Sequence, residues 1–194
     1  MFEKIQEWDE RWVCRINNYR YGKVLHTILV YFTHIGSVIP WIVACLILFL
    51  YNQDLLAAIL GSGLIEFGII QFIIKLIIRR KRPYQDDKIK DKIELRDFLL
   101  RNGGPSMPSG HMTTITLQTL ILVYYFNNYY ILIFTIAGIL FVGYSRIYLG
   151  AHFPTDVIVG VAFGLVLLLL VIISIPTTLW VLERLQEIFF IGVI

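Results

Sequence analysis

The sequence predicts an all-α integral membrane protein, a helical bundle of about five to six transmembrane helices with an interfacial helix at its N-terminus. Composition supports this class, because 57% of the 194 residues are hydrophobic, 16% are charged and the mean hydropathy is +0.71. These values lie well outside the usual range of soluble proteins. Long apolar runs alternate with short polar junctions and show no internal repeat, so we expect a single domain over residues 1–194.

The N-terminal segment, residues 1–22, carries charges every few positions and lacks the long apolar core of a signal peptide. Its apolar residues at helical spacing are Ile5, Trp8, Trp12 and Ile16. This spacing predicts an amphipathic helix at the membrane interface. The apolar stretch that follows, residues 24–51, is too short for two spans of about 20 residues each. We therefore expect a lead-in helix to about His34 and then one span to Tyr51.

Four further apolar runs predict the remaining spans, over about residues 55–78, 109–126, 129–144 and 157–180. In the last of them, Gly160 and Gly164 form a small-xxx-small pair suited to close helix packing. A polar loop, residues 79–107, separates the second and third spans, and its mixed charges over residues 86–101 predict a short helix on the membrane surface. This loop is either a solvated connector or a lid over a substrate.

Alternation of direction places four span ends on one face: the end of span two, the start of span three, the end of span four and the start of span five. Polar sequences occupy all four places: KLIIRRKRP at residues 75–83, PSGH at 108–111 and SRIYLGAHFPTD at 145–156. Hydropathy alone therefore predicts that these clusters meet. We expect a functional site on that face.

The residue types at this face indicate a phosphate-binding site. Three cations converge there: Lys75, Arg82 and Arg146. Ser109, with the amides of Gly110 and His111, opens a helix whose N-terminus favours anions. Arg side chains and amides also stabilise the charge on the equatorial oxygens during phosphoryl transfer. A single basic residue here could simply extend to lipid headgroups, but the combination with two histidines favours a phosphate site.

His152 and Asp156, four residues apart, are typical of an activated nucleophile. A carboxylate that accepts from one ring nitrogen fixes the tautomer and leaves the other lone pair available for attack. His111 could then protonate the leaving oxygen and afterwards activate water. Two histidines and an aspartate could alternatively ligate zinc, but three nearby cations disfavour a dication. We expect no metal and no cofactor.

These residues resemble the three signature motifs of the type 2 phosphatidic acid phosphatase superfamily, which also includes glucose-6-phosphatases and vanadium haloperoxidases. The motifs read Lys75-x6-Arg82-Pro83, Pro108-Ser109-Gly110-His111 and Ser145-Arg146-x5-His152-x3-Asp156. All eleven signature residues are present in order, within residues 75–156. Members of the membrane branch commonly have six spans, whereas this sequence predicts five and an interfacial helix.

The resemblance implies metal-independent dephosphorylation through a phosphohistidine on His152. It implies that Asp156 orients this histidine and that His111 is the general acid. It also implies phosphate binding by Lys75, Arg82, Ser109, Gly110 and Arg146.

The favoured function is hydrolysis of a membrane lipid phosphate, such as phosphatidate, phosphatidylglycerophosphate, undecaprenyl pyrophosphate or a lipid A phosphate. A phosphatase for soluble sugar phosphates and a non-catalytic lipid-binding protein are the alternatives. The expected partners are the lipid substrate and the bilayer, with no nucleic acid. The sequence does not determine the oligomeric state.

Two arguments about orientation conflict. Of the 17 Lys and Arg residues, all but Arg184 fall on the predicted site face, which by the positive-inside rule would be cytoplasmic. The bacterial lipid phosphatases that the motifs resemble commonly act on the outer face, and phosphate binding explains several of these charges. We expect a bacterial inner membrane protein with its site outside.

Glu66, within span two, is either functional or a protonated packing residue.

Overall fold

The computed structural model describes residues 2–97 and 104–191. These residues form an all-α bundle with short 3-10 turns, and no β-strand occurs among them. The helices in the two ranges are α1 (Phe2–Asn17), α2 (Lys23–Phe32), α3 (Val38–Leu50), α4 (Asp54–Ile77), α5 (Gly110–Phe126), α6 (Tyr129–Tyr148) and α7 (Pro154–Ile191). The predicted fold class is confirmed.

Three helices in the described part of the chain are long and apolar enough to cross a membrane: α4, α6 and α7 over Pro154–Leu185. The segment Lys23–Gly36 and α3 meet at 60° and form a broken span or a re-entrant loop. Helix α5 has 17 residues, which gives about 26 Å of helix against a hydrocarbon core of about 30 Å. The count of five spans therefore stays a prediction.

The structure does not contain the first predicted span as one straight transmembrane helix. The span predicted to end at Tyr51 corresponds to helix α3, which has only 13 residues. Its length of about 20 Å is too short to cross the bilayer. The break lies in the 3-10 turn Thr33–Gly36, near the predicted end of the lead-in helix at His34. A Cβ on Gly36 would lie 2.8 Å from the His111 carbonyl oxygen, so this turn packs directly on α5. The bend therefore lies in direct contact with the start of α5.

Helix α5 lies at the centre of the bundle and packs against α4, α6 and α7. Its contact with α7 depends on two glycines. A Cβ on Gly160 would lie 2.7 Å from Met112 Cβ, and one on Gly164 would lie 2.6 Å from Thr116 Cβ. Helices in lipid associate through such close packing, because lipid tails provide no hydrophobic drive between them. The predicted small-xxx-small contact is confirmed.

Helix α1 is amphipathic, as predicted. Trp8 and Trp12 are exposed, whereas Asp9, Val13 and Asn17 are fully buried. The buried side packs against α6 and α7. Exposed indoles suit the boundary between headgroups and tails. The interfacial position of α1 stays a prediction, but its docking beside the start of α7 is a structural finding.

The predicted surface helix over residues 86–101 is wrong for residues 86–97, and the rest of that range lies outside the described residues. Within 86–97 the only helical turn is the 3-10 turn Lys90–Lys92, and an extended segment follows. Asn17 donates to the Glu94 carbonyl and accepts from the Glu94 amide, each at 2.9 Å. The Arg96 amide donates to the Leu149 carbonyl at 3.1 Å. These distant partners take up backbone groups that a helix would pair internally.

We predict that Gly164→Ala lowers the thermal stability of the protein, because the added methyl group would overlap the Thr116 side chain. Overpacking of this kind costs about 1–3 kcal/mol. Gly68→Ala in α4 is the matched control, since its Cβ would meet no atom within 4 Å, and it should leave the melting temperature unchanged or slightly raised. Thermal unfolding of the detergent-purified protein measures both. Equal melting temperatures for Gly164→Ala and wild type would contradict the packing argument.

Candidate active site

The polar junctions that the sequence predicts to converge do lie together. The Ser109 amide donates to the Asp156 carbonyl at 3.1 Å, which joins the start of α5 to the start of α7. The Ser106 amide donates to the Arg80 carbonyl at 2.9 Å, which joins the two ends of the polar loop. The polar ends of α4, α5, α6 and α7 therefore meet at one place.

His152 occupies the short connection between α6 and α7. This connection contains Gly150 at a φ of +71°, a conformation that favours glycine. The buried His152 ring places Nε2 3.2 Å from Arg82 Nη1 and Nδ1 3.6 Å from Asp156 Oδ2. Burial lowers the pKa of His152 well below its usual range, and the positive charges of Arg82, Arg146 and Lys75 lower it further. The ring is thus kept neutral, as a nucleophile requires.

Asp156 faces His152 at a distance longer than a hydrogen bond, so the direct hydrogen bond expected from the sequence is not made. Its oxygens accept from other donors. Arg80 Nη1 donates to Oδ1, and both Ser106 Oγ and the Phe153 amide donate to Oδ2, all at 2.8 Å. Asp156 is therefore a fixed negative charge beside His152.

Arg82 is buried and held by backbone carbonyls. Its Nε donates to Gly104 at 2.7 Å and its Nη1 to Ala151 at 3.1 Å. Burial, followed by the charge of Arg146, lowers the pKa of Arg82 to about 10. The guanidinium remains charged at neutral pH and points one nitrogen at His152.

Arg146 is fully buried at the end of α6. Its Nη1 donates to Asp97 Oδ2 at 2.8 Å. Its Nε and Nη2 find no hydrogen-bond partner among residues 2–97 and 104–191. Lys75, in the last turn of α4, interacts electrostatically with Arg82, Arg146 and Asp156. Buried cationic donors that lack partners favour an anion, because desolvation without a partner is costly.

The first turn of α5 supplies the remaining polar atoms. Ser109 is the N-cap residue, followed by Gly110 and His111 at the start of the helix. Ser109 Oγ and His111 Nε2 are buried and, within the described ranges, lack hydrogen-bond partners. Gln71 of α4 donates to the Pro108 carbonyl at 3.0 Å and holds this turn in place.

The structure brings together all eight residues that the sequence proposes for the site, namely Lys75, Arg82, Ser109, Gly110, His111, Arg146, His152 and Asp156. Gly110 contributes the helix start itself, and a Cβ there would lie 3.5 Å from the Gln71 amide nitrogen. Among the described residues, no group of three or more His, Cys, Asp or Glu side chains is placed to hold a metal ion.

Sequence reasoning missed four residues around the site: Asp9, Arg80, Asp97 and Ser106. Arg80 lies at a variable position within the first motif, in the run RRKR, where its charge resembles that of its neighbours. The other three carry no local signal.

Glu66 Oε1 accepts from Ser174 Oγ of α7 at 2.8 Å, so its carboxyl group takes part in helix packing. It thus makes the contact with a neighbouring helix that the packing alternative requires.

The known proteins that resemble this chain in sequence are named as lipid phosphatases. The chain is 32% identical over 111 residues to the lipid A 1-phosphatase of Rhizobium etli, covering 56% of this chain and 46% of that protein. It is 31% identical over 122 residues to phosphatidylglycerophosphatase B of Bacillus subtilis, covering 56% and 54%. The chain thus spans about half the length of the curated relatives it matches.

Two crystal structures resemble this fold. Aquifex aeolicus LpxE superposes with a TM-score of 0.70 at 23% identity, covering 84% of this chain and 93% of that one. The transmembrane PAP2-type phosphatidylglycerolphosphate phosphatase from Bacillus subtilis gives 0.65 at 27% identity, covering 87% and 84%. The model of the PAP2 superfamily matches residues 54–180, which hold every motif of the site. The chain belongs to the PAP2 superfamily.

Proposed function

We propose that this protein is a phosphatase that removes phosphate from a membrane lipid, with no metal cofactor, through a phosphohistidine intermediate. One observation carries the proposal: buried donors without partners surround a neutral histidine. The atoms concerned are Ser109 Oγ, His111 Nε2, Arg146 Nε and Arg146 Nη2, and Arg82 Nη1 lies 3.2 Å from His152 Nε2. A phosphate group would satisfy these donors and place its phosphorus against the histidine.

In this mechanism the His152 Nε2 lone pair attacks phosphorus. An N–P bond forms, the bond from phosphorus to the lipid oxygen breaks, and His111 protonates that oxygen. His111 then takes a proton from water, the water oxygen attacks phosphorus and the N–P bond breaks. Asp156 stabilises the positive charge that develops on the His152 ring. Arg82, Arg146 and Lys75 stabilise the equatorial oxygens.

The location of the site favours a lipid substrate. The site lies at the ends of apolar helices, three of which are long enough to cross a membrane, so a substrate anchored by its tails can present its phosphate there. The names of the two curated relatives support the same class, since both are lipid phosphatases. The substrates we propose are phosphatidate, phosphatidylglycerophosphate, undecaprenyl pyrophosphate and lipid A phosphate. A soluble sugar phosphate and lipid binding without turnover are the alternatives to be tested.

We predict that the detergent-purified protein releases phosphate from at least one of these lipids in the presence of EDTA. His152→Ala should lower the rate by about a thousandfold or more, because the nucleophile is lost. His26→Ala is the matched histidine control, since His26 contacts the Tyr148 hydroxyl outside the site. Glucose 6-phosphate should be a poor substrate.

If the protein preferred glucose 6-phosphate to every lipid, its substrate would be a soluble sugar phosphate and not a lipid. Equal rates for His152→Ala and wild type would exclude the phosphohistidine mechanism. Absence of phosphate release, with lipid still bound, would favour the non-catalytic alternative.

We predict that the acid limb of the kcat/KM profile lies below pH 6.5, the ordinary pKa of histidine, because the pKa of His152 is lowered. A lowered pKa means that the inactivating protonation occurs only at lower pH. Arg82→Gln removes one cause of this shift and should move the acid limb upward. The measurement is kcat/KM from about pH 5 to 8, with one substrate for both proteins, so that substrate ionisation cancels. An unchanged or lowered acid limb in Arg82→Gln would contradict the electrostatic argument.

We also propose that the protein resides in a bacterial inner membrane with the site on the outer face. A Lys90→Cys variant lacking Cys14 and Cys45 tests this orientation, because Lys90 is exposed on the polar loop. We predict labelling of this cysteine by a membrane-impermeant maleimide in intact cells. Gln53→Cys, exposed in the turn between α3 and α4, should be protected. Protection at position 90 with labelling at position 53 would place the site in the cytoplasm.

A further inference from the structure

Arg80 lies outside the motif residues, yet it connects two buried carboxylates. Its Nη1 donates to Asp156 Oδ1 at 2.8 Å, and its Nη2 donates to Asp9 Oδ2 at 2.6 Å. Both carboxylates are fully buried, whereas Arg80 is 18% exposed. One guanidinium thus bridges helix α1 and the first turn of α7.

Further contacts fix this guanidinium. Nη1 also donates to Thr155 Oγ1 at 2.7 Å, and Nη2 also donates to Gln6 Oε1 at 3.0 Å. The guanidinium carbon lies 4.2 Å from the centre of the Phe153 ring, a stacked cation–π contact. Both terminal nitrogens of Arg80 therefore have acceptors within the protein, unlike Nη2 of Arg146.

Asp9 also has partners for both of its carboxylate oxygens. Its Oδ1 accepts from the Thr155 amide at 2.9 Å, and its Oδ2 accepts from the Thr155 hydroxyl. The Thr155 amide belongs to the first turn of α7, where a helix has amides without internal partners and favours negative charge. Asp9 thereby attaches α1 to the same turn that carries Asp156.

The charges of Asp9, Arg80 and Asp156 together contribute to the electrostatic environment of His152. Two carboxylates share one guanidinium, so the group Asp9, Arg80 and Asp156 keeps a net negative charge. Without Asp9, the charge of Arg80 would offset that of Asp156, which then could stabilise a positive His152 ring less well. Without Arg80, Oδ1 of Asp156 would lose its charged donor, and the carboxylate could rotate.

We propose that Arg80 and Asp9 are positioning residues for the reaction, through which helix α1 holds Asp156 in the orientation that supports His152. This inference rests on the phosphatase function proposed above. It assigns α1 a role in catalysis in addition to its expected place at the membrane interface. In this role neither residue binds the phosphate, since both terminal nitrogens of Arg80 already have acceptors and Asp9 carries a negative charge.

A role in positioning predicts a particular kinetic pattern. Arg80→Gln should lower kcat by about 10- to 100-fold, as expected when a reacting group is misplaced. The KM and the inhibition constant of inorganic phosphate should stay within about twofold of wild type, since uniform binding is untouched. Arg80→Lys, which keeps the charge and one contact, should recover part of the loss. Asp9→Asn should lower kcat in the same way, and Asp9→Glu should recover part of that loss.

Matched controls lie beside both residues. Lys81→Gln removes a neighbouring charge that pairs with Asp87 on the exposed surface. Glu7→Gln removes an exposed carboxylate of α1. Both should retain wild-type kcat. Rates are expressed per mole of protein that elutes as a single monodisperse peak in size-exclusion chromatography, so that a variant with less folded protein is still compared fairly.

Three outcomes overturn the inference. Wild-type kcat in both Arg80→Gln and Asp9→Asn would show that Asp156 needs neither residue. A large rise in the phosphate inhibition constant of Arg80→Gln, with kcat unchanged, would make Arg80 a phosphate ligand. An equal loss in Arg80→Gln and Lys81→Gln would indicate a general effect of charge. If wild type itself released no phosphate, the proposed function would fail together with this inference, whereas the other outcomes leave that function intact.

Discussion

The hydrogen bonds accepted by Asp156 connect the segments that form the site. Its side chain accepts from Arg80, from Ser106 of the polar loop and from the Phe153 amide, and its backbone carbonyl accepts from Ser109 at the start of α5. Four segments of the chain thus meet at one residue. Because burying a carboxylate is costly unless it is paired, the three side-chain contacts stabilise the charge beside His152, and the backbone contact holds the start of α5 against α7.

Buried cations define the other half of the site. Arg82 is held by backbone carbonyls and Arg146 by Asp97, so each guanidinium has some partners, and Arg146 keeps two nitrogens without any in the described part of the chain. Partial pairing fixes the positions of these side chains, and under the proposed function the remaining donors would bind the phosphate. Such preorganised donors stabilise developing charge without reorganising during the reaction.

The membrane environment sets the packing that supports these contacts. Gly160 and Gly164 allow α7 to approach α5 closely, and Gly160 lies against the Ser109 carbonyl. Gly36 brings the bend between α2 and α3 against His111 in the same way. Since lipid offers no hydrophobic drive for helix association, these close approaches, together with buried polar contacts, hold the site in shape.

The sequence by itself determined the helical fold, the convergence of four polar junctions and the eight proposed site residues, because hydropathy and short motif spacings are local properties. Only the tertiary structure revealed Asp9, Arg80 and Asp97 as partners of the site. On a charge-rich helix, Asp9 is indistinguishable in sequence from its exposed neighbours, and its contact with Arg80 spans 71 positions. The extended course of residues 93–97 likewise follows from contacts with Asn17, Leu149 and Arg146. Which charges are buried and paired depends on distances between remote segments, and these distances exist only once the helices have packed.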